Sequence, residues 1–119
     1  MVELLGGSDI RELADRLGVV PTKKLGQNFV TDPNTIRRIV SAANLNPDDL
    51  VVEIGPGLGS LTLGILEIVP RAIAVEIDDR LAAELPSTIA KHAPDKKLDL
   101  VVAEALKVTE LPGEPTALV

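Results

Sequence analysis

Residues 51–62 read Val51-Val52-Glu53-Ile54-Gly55-Pro56-Gly57-Leu58-Gly59-Ser60-Leu61-Thr62. An apolar run closes on an acid, and glycines then alternate at Gly55, Gly57 and Gly59. An apolar, helix-compatible segment follows. A strand turning tightly through glycines into a helix is the opening of a parallel unit that folds over a ligand. A second run, Ala72-Ile73-Ala74-Val75-Glu76, also closes on an acid. Glu76 lies 21 residues after Gly55, where a ribose-binding carboxylate belongs. Together these features predict an adenosine-bearing cofactor; the alternative is a tight strand–helix turn without a ligand.

The glycine spacing narrows the cofactor. A dinucleotide fingerprint, G-x-G-x-x-G, would need its third glycine at residue 60, which is Ser60; here it comes one position early, at Gly59. A P-loop is excluded because no Gly-Lys-Ser/Thr follows. With an acid two residues before Gly55, the spacing resembles motif I of S-adenosylmethionine-dependent methyltransferases. Glycines there let the backbone lie against the methionine part of the cofactor, since no Cβ intervenes.

Outward from this stretch, Ile10, Leu13, Ala14 and Leu17 mark one helix face, with Asp9 and Glu12 as a capping box and Gly18 as the stop. Residues 19–30 have no period and read as an ordered loop. Asp32 caps a second helix with Pro33 in its first position, a buried stripe of Ile36, Ile39, Val40 and Ala43, and an end at Asn44 and Pro47. Strands are expected at 50–54, 72–76 and 98–103. Helices are expected at 60–69, stopped by Pro70, and at 79–90, where Leu81, Leu85 and Ile89 recur every fourth residue and Pro86 should kink or split the helix. Apolar strands joined by helices imply a parallel sheet buried on both faces. Residues 107–115 read as a loop, and 116–119 begin a further apolar run.

Composition sets limits. A chain of 119 residues is one domain or part of one. Without cysteine it has neither a disulfide framework nor a thiolate metal site, and the single His92, read as a surface residue at a helix end, makes no metal cluster alone. No signal pattern and no apolar run of about 20 residues is present, so a cytoplasmic location is the default expectation. Phe29 is the only aromatic residue. Either the substrate is not a base or the rings that stack on it lie elsewhere. Charge is split, +1 over residues 1–40 and −7 over 41–119, giving −6. Lys23, Lys24, Arg37 and Arg38 form the basic concentration, read either as a solvated face or as an RNA contact.

The runs Lys23-Lys24-Leu25-Gly26-Gln27-Asn28-Phe29-Val30, Val52 to Thr62 and Ala74-Val75-Glu76-Ile77-Asp78 are similar to those of the ribosomal RNA adenine dimethyltransferases. The resemblance runs from about Pro21 to Val119. It implies an α/β protein with the Rossmann-like S-adenosylmethionine-dependent methyltransferase fold, N-terminal part only. Residues 1–47 would supply helices and a cofactor-covering loop, and 48–119 the first half of the methyltransferase domain. It further implies that Gln27, Asn28 and Val30 close over the methionine end of S-adenosyl-L-methionine, that Gly55 and Gly57 line that end, that Glu76 takes both ribose hydroxyls and that Ile77 packs on the adenine. Glu104, in Ala103-Glu104-Ala105-Leu106, stands where the family has Asp as acceptor for the adenine amino group. Its other reading is a solvated acid after a strand.

The family's catalytic Asn-Leu-Pro-Tyr would begin where this sequence stops, at Ala117-Leu118-Val119. No catalytic residue is therefore expected within the chain, which would be inactive alone. The implied activity is dimethylation of adenine N6 in small-subunit ribosomal RNA within the immature small ribosomal subunit, with neither metal nor membrane. The alternatives are a methyltransferase of another substrate class or a non-catalytic cofactor- or rRNA-binding fragment.

Overall fold

The protein is described here from a computed structural model, which covers residues 2–18, 32–104, 111, 113 and 115–119. Two helices come first, α1 (Gly7–Leu17) and α2 (Pro33–Ala43). They are followed by β1 (Val51–Ile54), α3 (Ser60–Ile68), β2 (Arg71–Glu76), α4 (Asp79–His92), β3 (Lys97–Val102) and β4 (Ala117–Leu118). The strands form one parallel sheet in the order β3-β2-β1-β4. From β1 the chain steps outward through β2 to β3, while β4 lies on the other side of β1. The order therefore reverses at the β1/β4 boundary, the place where open α/β sheets bind ligands.

Register separates the two faces. Val51, Ala72 and Ala74, with Leu98, Leu100 and Ala117, join the core into which α1, α2, α3 and α4 all pack. Val52, Ile73 and Val75 form a second cluster with Leu50, Val101 and Leu111. Both faces of β2 are thus buried, as continuous apolar strands predict.

Four local expectations are corrected. First, Gly6 and not Asp9 caps α1; Asp9 is its third residue and accepts from the Gly6 N–H at 2.9 Å. The carboxylate reaches backward from inside the first turn, and Gly18 ends the helix in the left-handed region as expected. Second, in α2 only Ile36 and Val40 of the proposed stripe are buried; Ile39 is 39% exposed and Ala43 is exposed. The helix meets its neighbour along a narrow line of residues four apart, so the wider stripe faces solvent. Asp32 caps it through the Asn34 N–H, as predicted.

Third, of the kink or split expected at Pro86 the split does not occur, since α4 is continuous through it. The proline lies on the exposed side, while Leu81, Leu85 and Ile89 are buried on both sides of it. Burying each of these contributes roughly 1.5–3 kcal/mol, which together exceeds the ~3 kcal/mol an internal proline costs. Fourth, His92 is buried and not a surface residue. Its Nδ1 lies 3.0 Å from the Glu3 carbonyl oxygen, and the Glu3 N–H donates to the His92 carbonyl at 2.7 Å. The segment before α1 folds back onto the end of α4 and buries Leu5. Most of the loop expected at 107–115 lies outside the described residues.

The close approach of α2 and α3 depends on Gly64. A Cβ there would sit 2.5 Å from Ile36 Cγ2 and 3.1 Å from Val40 Cγ2. Alanine normally stabilises a helix interior over glycine by about 1 kcal/mol. Here it meets β-branched side chains whose rotamers are stiff. Gly64→Ala is therefore expected to destabilise the protein by about 1–3 kcal/mol in denaturant titration; a stabilised variant would show that α2 yields freely.

Candidate functional site

β1 ends at Ile54, and the chain turns through Gly55, Gly57 and Gly59 at φ 68°, 59° and 102°. These left-handed values are what the glycines permit. The turn is pinned by the Gly55 N–H to the Val75 carbonyl at 2.8 Å and the Gly59 N–H to the Pro56 carbonyl at 3.0 Å. Gly55 and Gly59 serve different ends. Among the described residues a Cβ on Gly55 would meet nothing within 4 Å, so space opens over it, whereas a Cβ on Gly59 would come within 2.9 Å of Leu85 Cδ1 in α4. Gly59 is required by its backbone angle and by close packing on Leu85, whereas Gly55, required by its angle, borders open space among the described residues.

Glu76 ends β2 with only 5% of its surface exposed. One carboxylate oxygen accepts from the Gly57 N–H and the other from the Asp78 N–H, each at 3.0 Å. The acid after the second strand thereby holds the glycine turn after the first. A carboxylate offers about four lone-pair positions, so acceptor capacity remains on both oxygens. Asp78 caps α4, accepting from the Arg80 and Leu81 N–H groups at 2.9 and 3.2 Å. The Leu81 N–H leads in holding its carboxyl below the ordinary aspartate range.

Apolar side chains are exposed along the same edge: Ile54 by 46%, Ile77 by 64%, Val102 by 54% and Leu118 by 74%. Each lies at or just past the carboxyl end of a strand. β3 is tied in by the Ala103 N–H, which donates to the Glu76 carbonyl at 3.0 Å, and exposed Glu104 follows. The fold thus brings Gly55, Gly57, Glu76 and Ile77 together, with Glu104 on the adjoining strand end. Gln27, Asn28 and Val30 lie outside the described residues. Two concavities, about 550 Å³ beside Gly64 and about 260 Å³ between α1 and α4, share no residue with this edge. The edge carries the polar groups and the glycine turn, so the chemistry points there.

Glu53, just before the glycine turn, is not among the expected cofactor-binding residues. It is 3% exposed and accepts from the Thr62 hydroxyl of α3 at 2.5 Å. Burial pushes its carboxyl up to about 7; the Thr62 hydrogen bond works against that rise, and the nearby Glu76 charge adds to it. The available signal was an acid inside an apolar strand, two residues before the first glycine.

A profile of the family described as ribosomal RNA adenine dimethylase matches residues 21–113. The chain belongs to that family. Among similar dimethylase relatives, the ribosomal RNA small subunit methyltransferase A of Arthrobacter sp. is 60% identical over 118 residues, 98% of this chain and 40% of the relative. Its namesake from Streptomyces avermitilis is 62% identical over 119 residues, again 98% of this chain and 40% of the relative. The chain thus spans about 40% of the length of these relatives. Among solved structures, the 23S rRNA methyltransferase ErmE is 38% identical with a TM-score of 0.60, covering 71% of this chain and 34% of that one. The α/β architecture is accordingly the Rossmann-like methyltransferase fold.

Glu53 supplies a pH test. Its folded-state pKa stands above the ordinary 4.5, so the folded protein holds a proton that the unfolded chain releases. The associated stability is complete below about 4.5 and is lost as pH rises through about 7. Glu53→Gln keeps an acceptor for Thr62 without the charge. Its melting temperature is expected to exceed the wild type's at pH 8, by about 4–8 °C for each kcal/mol relieved, with the gap closing by pH 5. A gap independent of pH would rule this out.

Proposed function

We propose that this chain is the cofactor-binding part of an S-adenosylmethionine-dependent enzyme that dimethylates adenine N6 in small-subunit ribosomal RNA. The observation that carries the reading is the Glu76 carboxylate, buried at a strand end, held by the Gly57 and Asp78 amides beside the open space over Gly55. Family membership and the relatives' names support the substrate.

The residues present fit the cofactor. Glu76 keeps acceptor capacity for two ribose hydroxyls, Ile77 offers an exposed apolar surface to an adenine, and Glu104 offers it an acceptor. Gly55 leaves the methionine part room, and Gly57, Gln27, Asn28 and Val30 complete the set we assign to binding. When bound, S-adenosylmethionine supplies an electrophilic methyl group on a sulfonium. The chain's own task is orientation, since placing two reactants in line is itself a large part of such catalysis. Glu76 also places an acidic group at an edge that would receive a cation. The reading locates the protein in the cytoplasm, acting on the immature small ribosomal subunit, with no metal in the chemistry.

Calorimetry tests the cofactor. S-adenosylhomocysteine is expected to bind and NAD not to; the reverse result would overturn the assignment. Glu76→Ala should cost more affinity than Glu104→Ala, because Glu76 takes two charge-assisted hydrogen bonds of roughly 1.5–3 kcal/mol each. Equal losses would contradict the roles given. For the substrate, a protein of the relatives' full length should transfer labelled methyl groups to adenine in immature small subunits; labelling confined to protein or small molecules would refute it.

A further inference from the structure

α1 ends at Leu17, and Gly18 closes it in the left-handed conformation at φ 67°. The last carbonyls of a helix lack intrahelical donors and carry partial negative charge, which favours a cation there. The cation comes from a distant part of the chain. Arg80, in the first turn of α4, places Nη1 3.3 Å from both the Leu17 and the Gly18 carbonyl oxygens. Its Nη2 lies 3.6 Å from Asp78 Oδ2. Asp78 in turn donates its backbone N–H to Glu76, which also accepts from Gly57. A continuous series of polar contacts therefore runs from the end of α1, through Arg80 and Asp78, to the Glu76 carboxylate and the glycine turn.

Resting on the cofactor reading above, we propose that Arg80 is a positioning residue for Glu76. By docking the end of α1 and bracing Asp78, it holds the 76–78 turn so that the Glu76 carboxylate faces an adenosine-bearing ligand. The planar guanidinium suits this, because its fork serves two carbonyls and a carboxylate at once, which a lysine ammonium does less well. A second arginine separates positioning from simple docking of α1. Arg16 also ties α1 to α4, through Glu84 at 2.7 Å, but none of its hydrogen bonds or ion pairs reaches the 76–78 turn.

The test compares wild type, Arg80→Ala, Arg80→Lys and Arg16→Ala. Without ligand, NMR hydrogen exchange should show faster exchange of the Gly57 and Asp78 amides in Arg80→Ala, partial recovery in Arg80→Lys and no change in Arg16→Ala. With ligand, Arg80→Ala should weaken S-adenosylhomocysteine and adenosine by the same factor, about three- to tenfold, as expected when one partly exposed charged contact is lost. Unchanged amide exchange in Arg80→Ala, or equal acceleration in Arg16→Ala, would overturn the inference. Failure of the wild type to bind S-adenosylhomocysteine would instead overturn the cofactor assignment, and the amide exchange would still decide the role of Arg80.

Discussion

The Glu76 carboxylate is the joint on which the rest of this structure depends. Burying a charge is costly unless hydrogen bonds replace the water it loses. Two backbone amides do so, one from the turn after β1 and one from the turn after β2. The same contacts hold a glycine turn in left-handed geometry and set the approach of two strand ends. A single side chain thus couples the first βα unit to the second, at the carboxyl ends of β1 and β2. Neighbouring constraints attach to it: Ala103 donates to the Glu76 carbonyl, and Asp78 caps the helix that follows.

The glycines divide between two physical jobs that their shared spacing does not reveal. Gly64 is needed because side chains of α2 already fill the space a Cβ would take, and Gly59 because both its backbone angle and the nearby Leu85 side chain oppose a Cβ. Gly55 is needed for its backbone angle and leaves the space above it open. Such a contrast separates a glycine against which the fold packs from one that leaves room beside the turn.

Glu53 shows the opposite arrangement. It sits on the helix-covered face of β1, in register with Ala74, and among the described residues its side-chain partner is the neutral Thr62 hydroxyl. An acid kept in such a place, with its pKa raised toward neutrality, departs from what packing alone would select. Departures of that kind concentrate at functional sites. The nearby Glu76 charge adds to the rise that burial imposes on it.

The order of elements, the parallel sheet and the grouping of Gly55, Gly57, Glu76 and Ile77 were legible in the sequence. Short apolar runs bounded by glycine, proline and acids are local signals, and a strand–turn–helix repeat permits few topologies. The exposed side of α2, the unbroken α4 and the buried His92 were not legible. Periodicity tells which residues share a face, but not how much of that face a neighbour covers. The same limit applies to the site. From the sequence alone, the spacing singled out the acid 21 residues beyond the first glycine of the turn, which the structure places against that turn. Only the tertiary structure decided that Glu76 also braces Gly57, that Glu53 is buried against Thr62, and that Arg80 reaches back 62 residues to the end of α1. Those partners are chosen by strand register and helix docking between distant segments, which local composition does not encode.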